Sequence, residues 1–295
     1  MGLAELHRHL DGSLRPGTVR ELAEVLGLDV PPQLAFTPGM GLEAALSRFA
    51  FTLSLLKSPA AVTRVAREIC EDAAVEGITT LEVRFAPQLH GDIEAFVDAA
   101  LVGLDGRAGL ILCGLYGEPP EVLDRLVAAA IPREGVVGID LAGGPAPPHE
   151  FGMEAYASAF QRAASHGIGR TVHAAEGRPA AEIATAIGEL KARRIGHGTT
   201  LLDDAEVLDL VLETGTTIEA CPTSNWHTGV IERVEDHPLA EWLRRGVRVC
   251  VNTDNTLLSA VTLPEELDRV RRIPGIREPQ IEAMSAFGHE AAFVR

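Results

Sequence analysis

Side chains able to bind a metal or move a proton recur in short, similar settings along this chain. Two histidines stand two apart in "ELHRHLDG" (His7 and His9), and a histidine precedes a glutamate by three in "VHAAEG" (His173 and Glu176). Another histidine closes "RIGH" (His197), and "VCVNTDN" runs an apolar segment into Asp254 and Asn255. On an extended strand, residues two apart project to the same side, so His7 and His9 present both rings together. Three neutral imidazoles plus one carboxylate form a donor set suited to Zn²⁺, and Asp254 is placed to supply the carboxylate. Plainer roles exist for each group. A single histidine more often fills a core or a surface, Glu176 suits the first turn of a helix, and Asn255 suits the cap of a helix starting near "TLLSAV".

These groups share one feature, which is that each follows an apolar or β-branched run. Eight such runs occur, at about 3–9, 79–86, 109–116, 135–142, 169–174, 193–197, 216–221 and 247–253. Between them, segments such as "SPAAVTRVAREICEDAAVEG" return apolar residues every three or four positions, the period of an amphipathic helix. Strand and helix alternating eight times predict a parallel sheet closed into a (β/α)₈ barrel of the TIM type, an α/β fold. No G-x-G-x-x-G follows the first strand, which disfavours a dinucleotide-binding sheet. The segment at about 17–57 is too long for an ordinary loop and reads as a helical lid inserted after strand one. No linker or low-complexity tract interrupts the chain, so residues 1–295 are expected to form one domain. In a barrel the active site lies at the C-terminal ends of the strands, which is where these side chains fall.

Composition narrows the partners. A formal charge of −16 repels nucleic-acid phosphate and anionic membranes, and no block of Lys or Arg interleaved with aromatics offsets it. No apolar run reaches the roughly 18 residues of a membrane span. Four widely spaced cysteines without a C-x-x-C pattern fit reduced core positions, and the N-terminus has no secretion signal, so a cytoplasmic protein is expected. A partner that is small or uncharged follows; oligomeric state is not encoded in any pattern found.

"ELHRHLDGSLRP", "VHAAEG", "RIGHGT", "CPTSNWHTG" and "VNTDN", in that order, resemble the adenosine deaminase family of the amidohydrolase barrels. The resemblance implies one Zn²⁺ per subunit held by His7, His9, His173 and Asp254, matching the family's H-x-H, the histidine of H-A-G-E and the first aspartate of T-D-D. It implies Glu176 and His197 as catalytic residues. It places Asp11 toward a ribose 5′-hydroxyl, the Gly143 N–H toward purine N3, and Asn255 toward N7. Asp11 also suits a plain turn, and Gly143 and Gly144 suit a backbone needing positive φ. The implied reaction is hydrolytic deamination of a 6-aminopurine nucleoside, most naturally adenosine to inosine plus ammonia, a step of purine salvage. Zinc lowers the pKa of bound water from 15.7 to about 7, which supplies a nucleophile for C6. Glu176 would protonate N1, while His197 would orient or deprotonate the water and stabilise its charge.

Two positions depart from the family pattern: Ala175 stands where glycine is usual, and Asn255 where a second aspartate is usual. An amide donates to N7 without first being protonated, so Asn255 is compatible with a purine. "DLAGGPAPPHE" lacks the acidic pair that often follows D-L-A-G, and the tail after the last helix is short. Adenine, an N6-modified purine or aminodeoxyfutalosine are the nearest competing substrates. A phosphoester or lactone hydrolase and an inactive metal-binding homologue are more distant alternatives. The cytidine-deaminase type is a poor match, because its H-x-E and P-C-x-x-C motifs are missing.

Overall fold

A computed structural model describes residues 2–143 and 149–293. Its eight strands are β1 (Leu3–His9), β2 (Ile78–Phe85), β3 (Gly109–Leu115), β4 (Val136–Ala142), β5 (Gly169–Ala174), β6 (Arg194–His197), β7 (Thr217–Ala220) and β8 (Arg248–Val251). All neighbouring pairs are parallel, in the sequential order β1 to β8. Each expected strand is present within two residues of its expected bounds, because alternating branched apolar residues and flanking Gly or Pro mark strands strongly. Closure between β8 and β1 is short. The Asp254 N–H donates to the His7 carbonyl (3.0 Å) and the His9 N–H to the Asp254 carbonyl (2.8 Å). One step below, the Asn252 side-chain oxygen accepts from the Leu6 N–H (2.7 Å), standing in for a strand carbonyl.

The segment after β1 folds as two helices, α1 (Pro16–Leu26) and α2 (Leu42–Leu55), before the first helix packed on the barrel, α3 (Pro59–Val75). Pro16 opens α1 and Gly27 ends it in the left-handed region (φ 66°), the usual asymmetry of helix ends. Phe36, Ala45 and Leu258 form a small apolar cluster of their own, joined by the partly buried Phe49, which seats this lid on the loop after β8. The main apolar core lies between the strands and the outer helices and includes Val62, Val83, Leu126, Phe160, Ile183 and Trp242.

Inside the barrel the filling is ionic. Buried side chains pair in the order Asp140, Arg84, Glu219, Arg194, Glu82, with separations of 2.8, 2.8, 2.6 and 2.5 Å. Below them Phe293 closes the barrel, its ring centroid 3.6 Å from the Arg194 guanidinium carbon and its N–H on Glu82 Oε1 (2.5 Å). Gly138 and Gly169 make room for it, since a Cβ at either would lie 2.8 or 2.1 Å from the ring.

Candidate active site

The C-terminal ends of the strands bring the polar residues together. His7 is fully buried, and its Nδ1 lies 2.7 Å from Glu219 Oε2 on β7, so the N–H donates to the carboxylate and Nε2 keeps a free lone pair. His173, at the end of β5, does the same through Nδ1 and Asp140 Oδ2 on β4 (3.0 Å). His9 Nε2 lies 3.3 Å from His173 Nε2 and 3.4 Å from Asp254 Oδ1, and His7 Nε2 lies 3.6 Å from that same oxygen. His7 Nε2 has no hydrogen-bond partner. Lone pairs facing one another in a buried site repel unless a cation sits among them, so these four side chains fit a metal ion. Donors about 2.0–2.1 Å from a tetrahedral zinc stand about 3.3 Å apart, which agrees with these separations. Among the described residues, His7, His9 and Asp254 form one compact donor group, and His7, His173 and His197 another, so His197 borders the same centre.

The backbone that aims these groups is strained. Ala175, His197 and Asp254 hold φ of 57°, 65° and 64°, left-handed values that cost a non-glycine residue on the order of 1 kcal/mol or more. Ala175 is held by the Glu182 carboxylate on its N–H (2.8 Å) and by the Thr199 hydroxyl on its carbonyl (2.9 Å). That sharp turn, with Gly177 at φ 64°, directs Glu176 into the pocket. Glu176 therefore does not stand in the first turn of a helix: the next helix begins at Ala181. Burial, with the nearby Asp254 charge, pushes its carboxyl up to about 7. Its Oε2 lies 3.8 Å from His197 Nε2. The Asn225 amide nitrogen donates to His197 Nδ1 (3.0 Å), leaving the ring proton on Nε2, and burial holds this imidazole neutral.

Asn255 lines the same pocket as Glu176 and His197, with Oδ1 buried and unpartnered over Gly12, where a Cβ would meet it at 1.9 Å. It caps no helix. Residues 256–260 form turns, and the next helix begins at Leu263, capped by Thr262 and Glu265. Asp11 is buried in a short 3₁₀ turn beside a second chamber of about 260 Å³, walled by Leu46, Phe49, Leu53, Leu89, Leu115 and Tyr116. Burial raises its carboxyl to about 7. Gly143 (φ 77°) borders both chambers; Gly144 and the proline-rich stretch after it lie outside the described residues.

Several contacts at this site are absent from the sequence reading: Glu219 and Asp140 behind the histidines, Ser224 on Asp254 (2.6 Å), Asn225 on His197, and Thr228 on Glu176 (3.3 Å). A signal for the first group existed, since "VVGIDLA" and "TIEA" put Asp140 and Glu219 inside otherwise apolar strands, and buried charge must be paired.

A family model described as adenosine deaminase matches residues 2–295. The chain belongs to the adenosine deaminase family. An adenosine deaminase of Enterococcus faecalis is 35% identical over 285 residues, covering 89% of this chain and 83% of the relative. One from Clostridium acetobutylicum is 34% identical over 310 residues, covering 98% and 92%. Among solved structures, an Arabidopsis ADAL complexed with IMP superposes with TM-score 0.89 at 26% identity, covering all of this chain and 92% of that one. An adenine deaminase from Arthrobacter aurescens superposes at 0.90, with 24% identity and coverage of 100% and 94%, a likeness of fold. Membership in this family identifies the chain as a hydrolase acting on C–N bonds of an aminopurine, with water as co-substrate.

Proposed function

We propose that the protein deaminates adenosine to inosine and ammonia, on one barrel domain spanning the chain. The observation that carries this reading is the convergence of the Nε2 atoms of His7, His9 and His173 with the Asp254 carboxylate, beside a protonatable Glu176 in the same pocket. His7, His9, His173 and Asp254 would hold a single Zn²⁺. Bound there, it would lower the pKa of water toward about 7 and so supply the nucleophile. Glu176, carrying its proton near neutral pH, donates to purine N1, which makes C6 electrophilic. His197 presents its Nε2–H to the attacking oxygen and stabilises the charge developing there. Asn255 offers its amide N–H to N7 without needing a proton from solution. The Gly143 N–H reaches N3, and Asp11 accepts from a sugar hydroxyl.

Two observations favour a nucleoside over the free base or a nucleotide. The chamber beside Asp11 gives a sugar room that adenine alone leaves empty. No Lys or Arg lines either chamber among the described residues, so no cation there would pair with a 5′-phosphate. Four buried free cysteines support a reducing compartment, the cytoplasm; no helix among the described residues is long and apolar enough to cross a membrane.

Ammonia release from adenosine, adenine, AMP and N6-methyl-AMP tests the reading. Adenosine is expected to show the highest kcat/KM, and Asp11→Ala is expected to lower it for adenosine while leaving adenine nearly unchanged. A higher kcat/KM for adenine or for either nucleotide would overturn it.

A further inference from the structure

We propose that Glu266, which touches none of the reacting groups, is a positioning residue for them and acts through the short helix Pro222–His227. Glu266 is fully buried on the helix Leu263–Val270. Its Oε1 accepts from the Thr223 N–H (2.8 Å), and its Oε2 accepts from the Thr223 hydroxyl, so one carboxylate takes both donors of one residue. Arg269, on the same helix, donates to that hydroxyl as well (2.9 Å). The residues that follow Thr223 face the site. Ser224 donates to Asp254 Oδ2 (2.6 Å), Asn225 to His197 Nδ1 (3.0 Å), and Thr228 to Glu176 Oε1 (3.3 Å).

A six-residue helix holds less than two turns and cannot fix its own position, so outside anchors must do so. At its other end the carbonyls of Trp226 and His227 accept from Gly39 and Met40 of the lid (3.1 and 2.9 Å). Glu266 is the anchor at the end that carries Ser224 and Asn225. The same grip occurs a second time nearby. Glu5 Oε1 accepts from both the N–H (2.9 Å) and the hydroxyl (2.5 Å) of Thr253, the residue before Asp254. In both places a buried glutamate locks a threonine one residue ahead of a side chain that must point into the site.

The proposal rests on the deaminase reading, and its test separates the two. The experiment compares Glu266→Ala, Glu266→Gln, Asn225→Ala and the double variant Glu266→Ala/Asn225→Ala. Kinetics on adenosine are read together with ¹⁵N NMR of the His197 ring. Glu266→Ala is expected to lower kcat about 10- to 100-fold with KM changed less than about 3-fold, the size of a loss of alignment. Glu266→Gln is expected to recover most of it, because its amide still accepts from the Thr223 N–H and still meets the hydroxyl. The double variant is expected to be little slower than Asn225→Ala, since both changes break one chain of contacts. In Glu266→Ala the His197 ring is expected to lose its single tautomer and average between two; in Glu266→Gln it keeps the wild-type signal.

A lowered melting temperature with kcat and the His197 signal unchanged would make Glu266 a structural brace only. Equal losses in the Ala and Gln variants would assign the effect to charge, and additive losses would break the link to Asn225; either overturns the proposal. Should the wild-type protein release no ammonia from any aminopurine, the deaminase reading fails, and the His197 signal still decides whether Glu266 positions that ring.

Discussion

Glu176 sits where burial raises a carboxyl to about 7, which is what an acid working near neutral pH requires. Its proton is lost as pH rises through that value, so kcat is expected to fall on the alkaline side of about pH 7 in a pH–rate profile. Glu176→Gln is expected to lower kcat by about 10²- to 10⁴-fold while metal content by elemental analysis stays unchanged. Asn255→Asp is expected to alter the ranking among aminopurines more than metal content, because the residue faces the pocket and adds charge beside Asp254; equal effects on every substrate would mean the position only fills space over Gly12. Glu266 carries a separate thermodynamic signature. Its folded pKa, raised by burial from 4.5 to about 7, contributes stability that is complete below pH 4.5 and lost as pH rises through about 7. Glu266→Gln is expected to flatten that part of the stability curve, by up to about 3 kcal/mol between pH 4.5 and 7, in denaturant titrations of the metal-free protein.

At the scale of elements, the strand ends combine regular pairing with local strain. Ala175 shows why a departure from the family pattern is tolerated: hydrogen bonds on both sides of the residue hold a left-handed backbone that glycine would adopt freely. β4 and β5 carry glycines for a different reason, the space taken by Phe293. Gly169→Ala puts a methyl 2.1 Å from that ring and is expected to destabilise the fold by about 1–3 kcal/mol, measured by urea unfolding. Phe293→Ala made together with it is expected to remove the clash, leaving the pair less than additive. The lid and the helix Pro222–His227 belong to this scale too, since the Gly39 and Met40 N–H groups between the two lid helices donate to that helix's carbonyls.

For the whole molecule, the barrel interior is a chain of opposite charges that starts at the candidate metal ligands. Glu219 and Asp140 orient His7 and His173, and Arg84 lies between both carboxylates, bonded to Oε2 of one and Oδ2 of the other at 2.8 Å. Arg84→Met would leave two buried carboxylates short of a partner. A loss of about 3–5 kcal/mol is expected, with weaker metal retention on dialysis against a chelator, because the imidazoles lose their fixed orientation.

The sequence alone determined the eight strands and the intervening helices, because period-two and period-3.6 patterns are local and every element had to bury an apolar face. It also pointed to the candidate site side chains, because a barrel displays whatever ends its strands at one rim, so position along the chain maps onto position at that rim. His7, His9, His173, Glu176, His197 and Asp254 were legible for that reason. Only the tertiary structure decided what stands behind them. Glu219 is 212 residues from His7 and Glu266 is 43 from Thr223, and no periodicity relates such pairs. The left-handed turn that aims Glu176 and the pocket-facing amide of Asn255 were likewise beyond local reading, since "AAEG" and "TDNT" are each compatible with a helix start until packing selects the turn. Buried polar groups must find partners, and which partner each finds depends on the closed barrel rather than on any local stretch of sequence.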